Sequence, residues 1–255
     1  MRDHLVPPRF PRQVILLLIV VAVLTVLSLI SNLLWLQGSS LAKGLRLLLS
    51  VDQEMSLPTW WSSATLAGLG VLTWFVGQGR ESESRIERLA WAMLAFGFVF
   101  LSIDEFCMLH ERIGGLVPVD GLFKHARWII LWLPLGGMVG SFVLWKLWRT
   151  SKQTVIGLIL GAAVFLSGAV GVELLNTVMR RQAEYQADAQ ALDATQTAKS
   201  QDKTGKRNLP YVAGTAVEEL LEMLGVVIWF GVMIRARDEV EQAKSGGESH
   251  DAQRR

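Results

Sequence analysis

The chain has 255 residues, of which 51% are hydrophobic and 19% charged, with a formal net charge of +2. A mean hydropathy of +0.35 is too high for an ordinary soluble or disordered domain, and the charge is too small and too dispersed for a nucleic-acid partner. The single cysteine, Cys107, excludes an internal disulfide and a Cys-based zinc site.

Apolar runs at residues 14–36, 60–77, 89–107, 128–145, 155–179 and 216–234 predict an all-α bundle of six transmembrane helices, because about 20 apolar residues span the hydrocarbon core. They form one transmembrane domain over residues 1–240, with a polar loop at 180–211 and a flexible polar tail at 241–255. The first run follows Arg2, Arg9 and Arg12 but is far longer than a signal-peptide core and lacks an Ala-x-Ala end, so it reads as a retained anchor. Residues 41–51 predict a short amphipathic piece lying in the outer interface. Pro7, Pro8, Pro11, Pro58 and Pro210 fall at helix boundaries, whereas Pro134 is internal and predicts a kink.

Lys and Arg in the short loops set the orientation. Arg2, Arg9 and Arg12, then Arg80, Arg85 and Arg88, then Lys146, Arg149 and Lys152 give a modest bias that places both termini in the cytoplasm, with a bacterial inner membrane as the expected location. Trp35, Trp60, Trp61 and Trp128 then mark the outer interface, and Trp74, Trp91, Trp145 and Trp148 the inner one.

Chemistry concentrates in three of the predicted spans. The third closes on Ser102-Ile103-Asp104-Glu105-Phe106-Cys107-Met108-Leu109-His110-Glu111-Arg112; on a continuous helix Asp104, Cys107, His110 and Glu111 share one stripe. The fifth carries Glu173 and Asn176 near its end, on a face opposite Gly157, Gly161, Gly168 and Gly171, whose small side admits a close neighbour. The sixth starts Thr215-Ala-Val-Glu218-Glu219-Leu-Leu-Glu222. Alternation of spans brings all three polar sets to one membrane face, whichever way the chain inserts.

A carboxylate at mid-bilayer costs about 2.5 to 3.5 kcal/mol, less near the interface. No Lys or Arg lies within the apolar runs to offset it, which leaves shared protons, rim contacts or a bound cation. Carboxylates with an imidazole suit iron, manganese or zinc. The expected site is therefore a divalent-metal site of Asp104, His110, Glu111, Glu173, Glu218 and Glu222, with Glu105 or Glu219 as general base for water, in a membrane-embedded enzyme acting on a lipid or other amphipathic substrate. Structural readings stand beside it. Thr215-x-x-Glu218 is also a capping box, Glu111 and Arg112 also suit a solvated helix end, and Cys107 and His125 read as packing and loop residues. Two further functions fit the same acids: a cation- or proton-coupled transporter, and an assembly subunit meeting a partner's basic residues.

Overall fold

A computed structural model describes residues 11–38, 40–53, 55–80, 83–116, 118, 127–179, 181–182 and 209–252. The described residues are helical and carry no strand: α1 (Arg12–Leu36), α2 (Ser40–Leu49), α3 (Leu57–Gln78), α4 (Arg85–Cys107), α5 (Leu109–Gly114), α6 (Trp128–Leu147), α7 (Lys152–Met179) and α8 (Leu209–Ala252). His125 and most of the polar loop expected at 180–211 lie outside the described residues.

Among the described residues, α1, α4, α6 and α7 are long and apolar enough to cross a membrane. α3 is interrupted by Thr59, Ser62, Ser63, Thr65 and Thr73, and α8 carries Glu218, Glu219 and Glu222. The outward faces match a lipid solvent, with Leu16 62%, Phe75 67%, Phe96 70% and Met138 68% exposed.

Small residues set how the helices meet. α3 and α4 run antiparallel: Cβ atoms added at Gly70 and Gly77 would lie 2.6 Å from Val99 and Trp91. At the far end of that pair, Ser63 and Ser102 each donate a hydroxyl to the other's carbonyl at 2.8 Å. α7 and α8 pair in the same way, with Gly157 against Val232, Gly161 against Trp229 and Gly225 against Phe165. Trp229 fills the centre, stacked on Phe165 at 5.4 Å, tilted on Phe98 at 5.1 Å, and donating Nε1 to the Leu158 carbonyl at 2.9 Å. A second apolar cluster, with Val14, Val21, Met223 and Val227, seats α1 on α8.

The structure agrees with some of the sequence expectations and departs from others. α2 covers most of the amphipathic piece, with Leu41, Leu45 and Leu48 on its exposed side. Pro134 lies inside α6, as expected, with helix on both sides of it. Trp91, expected at an interface, is 1% exposed, and its indole donates to Glu83 at 3.0 Å. The expected tail continues as helix to Ala252, supported at its start by the i,i+4 pairs Arg235–Glu239 and Arg237–Glu241.

Candidate functional site

Two local departures from the α-helix build the polar end of the bundle. The first is in α7, where Ser167–Val172 forms a π turn. A π turn holds one residue more than the α-helical register, so every face beyond it is rotated by one position. Gly161 and Gly168 face α8, and α-helical spacing would continue that face through 172 and 175. The extra residue hands it to Glu173 and Asn176 instead. Accordingly a Cβ at Gly168 would meet the Glu218 carbonyl oxygen at 2.5 Å and Glu222 Cγ at 3.2 Å, and one at Gly214 would run into Asn176 Oδ1. The expectation that Glu173 lies opposite the glycine face is corrected: both point at α8.

The second departure is at Met108, the one non-glycine residue with positive φ among the described residues, at φ 52° and ψ 45°. A left-handed methionine ends α4 and restarts the chain as α5, at a cost of about 1–2 kcal/mol. The turn brings His110 back onto Asp104. The His110 amide donates to Asp104 Oδ1 at 2.7 Å, and Nδ1 lies 2.8 Å from Oδ2. Both carboxylate oxygens of Asp104 are thus engaged by His110, which places Asp104 as the group that orients the imidazole. The continuous stripe of Asp104, Cys107, His110 and Glu111 is overturned, because it requires an unbroken helix; Glu111 is exposed in the first turn of α5.

With Nδ1 committed to Asp104, Nε2 is the nitrogen free to act on another group. Burial opposes charge on this ring, but the hydrogen bond and charge of Asp104, with Glu111 and Glu105 behind it, outweigh that, so His110 holds its proton more tightly than an ordinary histidine. The edge of Trp128 packs against it at 5.4 Å.

The remaining acids converge. Glu222 lies within electrostatic reach of Glu219, Glu218, Glu105 of α4 and Glu173 of α7. Glu219 also feels Asp52, in the turn between α2 and α3, and Glu105 feels Asp104 and His110. Asn176, fully buried, donates Nδ2 to Glu218 Oε2 at 2.9 Å. Because α8 already includes Leu209, Thr215 is inside the helix and the capping-box reading of Thr215 and Glu218 falls away; among the described residues a capping box is formed by Ser84 and Glu87, at the start of α4. Among the described residues, no three His, Cys, Asp or Glu side chains stand close enough together to hold a metal ion.

Sequence reasoning missed the polar wall beside these acids. Arg46 of α2 pairs with Asp52 at 2.7 Å, bonds Asn32 at 3.0 Å and lies over the Trp35 ring at 4.3 Å. Tyr211 donates to the second oxygen of Asp52 at 2.9 Å. The signal available was the polar run Ser28, Ser31 and Asn32 inside an otherwise apolar span; all three are buried, and Ser28 and Asn32 tie the α2–α3 turn to α1 through Val51 and Ser50.

A family model described as a domain of unknown function, DUF8692, matches residues 16–236. No curated protein and no solved structure matches the chain.

Proposed function

Since this chain belongs to the DUF8692 family, whose description leaves its function open, the site must supply the reading, and we propose a membrane-embedded, metal-dependent enzyme acting on a lipid or other amphipathic substrate. In this reading α3 and the first half of α8 join the four apolar helices as six spans of a bacterial inner membrane. Both termini are cytoplasmic, and the acids lie near the outer face.

The observation that carries the proposal is the convergence on Glu222 of carboxylates from α4, α7 and α8 beside an imidazole already oriented by Asp104. Five carboxylates in a low-dielectric setting repel one another unless protons or a cation intervene. A cation among them would draw on His110, Glu173, Glu218 and Glu222, with Asp104 behind His110 and the proton on Nε2 released. As they stand, these side chains do not close on an ion. Iron, manganese or zinc would supply Lewis-acid activation of water or a carbonyl oxygen there. Glu105 and Glu219 are the carboxylates left over as general bases, and Glu111 has no part because it is exposed.

The test is metal content per chain, by mass spectrometry of protein purified without a His-tag, beside Glu222→Gln and Glu173→Gln. The proposal expects a stoichiometric transition metal in the wild type, lost in both variants that remain folded. A metal-free wild type, or unchanged metal in both variants, refutes it.

A second reading, cation- or proton-coupled transport, is favoured by one observation: Asp52 extends the acid array beyond Glu219 toward the end of the bundle. It predicts ion-dependent flux in reconstituted vesicles that Glu173→Gln abolishes.

A further inference from the structure

A pocket of about 220 Å³, counting its open mouth, lies beside the acids and is walled by Asn32, Arg46, Asp52, Tyr211, Val212 and Thr215. Its inner space is the size of about one water molecule. The wall polar groups have their partners already: Asp52 holds Arg46 and Tyr211, and Arg46 also holds Asn32. Thr215 is the exception. It is 8% exposed, and its hydroxyl oxygen has no hydrogen-bond partner among the described residues. A buried hydroxyl without a partner is costly, and a small polar pocket containing one is where an ordered water is retained.

The pocket also has a direction. Tyr211, Thr215, Glu219 and Glu222 succeed one another at i, i+4, i+8 and i+11 along one face of α8, so a polar stripe leads from the pocket to the centre of the acid cluster. The walls suit a neutral guest: Arg46 opposes a cation, Asp52 opposes an anion, and the two are paired with each other at 2.7 Å.

We propose that this pocket is a water site, with one ordered water held by the Thr215 hydroxyl against the Asp52–Tyr211 pair, and that it is the inlet through which water reaches Glu219 and Glu222. The inference rests on reading the acids as the working site, to which it adds the source of their water. α2 forms part of the inlet wall through Arg46, so water enters from the end of the bundle and not from the lipid-facing side.

X-ray radiolytic labelling of the full chain in lipid nanodiscs tests it, because hydroxyl radicals made from a bound water modify the side chains around that water. Tyr211 is 5% exposed and Trp91 1%. The inlet requires Tyr211 to be labelled severalfold faster than Trp91, and to lose that excess in Thr215→Val, which keeps the shape and removes the hydroxyl. A Val212→Trp variant, filling the pocket from the other wall, removes the excess without touching Thr215. Tyr211 as protected as Trp91 in the wild type overturns the proposal, as does an excess that survives both substitutions. Metal content of the same samples separates the two readings: a labelled Tyr211 in metal-free protein refutes the metal site and leaves the inlet standing, and a protected Tyr211 in metal-loaded protein does the reverse.

Discussion

Replacing Gly168 by alanine tests the π-turn geometry directly. The added Cβ would stand 2.5 Å from the Glu218 carbonyl oxygen and 3.0 Å from Leu221 Cβ. The obstruction is mostly backbone, so no rotamer change relieves it. Reaching ordinary contact at 3.4 Å requires α8 to retreat by about 0.9 Å at the acid cluster. Overpacking of this kind costs about 1–3 kcal/mol. For a chain of this size about 1 kcal/mol moves the melting temperature by about 2–4 °C, so the variant should melt about 2–12 °C lower. Thermal unfolding in detergent followed by tryptophan fluorescence reads this, since Trp229 lies in the same interface. The control is Gly171→Ala in the same π turn, which meets nothing within 4 Å; it should be neutral or gain up to about 1 kcal/mol from lost glycine flexibility. Equal melting of both variants, or a larger loss at Gly171, refutes the claim that this turn presses α7 onto α8.

Further expectations follow from other positions. At Met108, glycine should raise stability by up to about 1 kcal/mol and valine lower it by at least as much, because only the first accepts a left-handed backbone freely; opposite signs in the same melting assay are required. Glu83 lies outside the apolar spans, and burial raises its pKa even though Arg80 and Trp91 pull it down. A raised carboxyl favours folding in its protonated form. Its contribution is complete below the ordinary value of 4.5 and is lost as pH rises through the folded value, so Glu83→Gln should flatten the melting temperature over that interval; an unchanged slope contradicts this. Asp104→Asn weakens the hold on the imidazole, and the His110 resonance followed by NMR should then titrate at lower pH than in the wild type, by the sign of the Asp104 contribution.

The helices were legible in the sequence because hydropathy and proline position both mark helix ends, and alternation of the helices alone brought Glu105, Glu173 and Glu222 to one end of the bundle. The glycines of α7 likewise announced a close neighbour, which is α8. What composition could not convey was register. Nothing in Ser-Gly-Ala-Val-Gly-Val states that one extra residue is wound into the turn, yet that residue decides whether Glu173 faces α8 or turns from it. Met108 is similar, since methionine is a good helix former and gives no warning of a left-handed turn; the turn accompanies the two bonds that tie His110 to Asp104. The Arg46–Asp52 pair spans only six residues, but Tyr211 reaches it from 159 residues away, and no periodicity links them.

α8 is a single unbroken rod from Tyr211, beside the pocket, to Glu239, which lies 3.7 Å from Arg80 at the opposite end of the bundle. At 1.5 Å per residue that distance is about 42 Å. Pivoted near the pocket, a tilt of about 5° displaces the Glu239 end by about 4 Å, enough to part it from Arg80. The helix is in this sense a lever, and a tilt too small to notice among the carboxylates is magnified at the far end of the bundle.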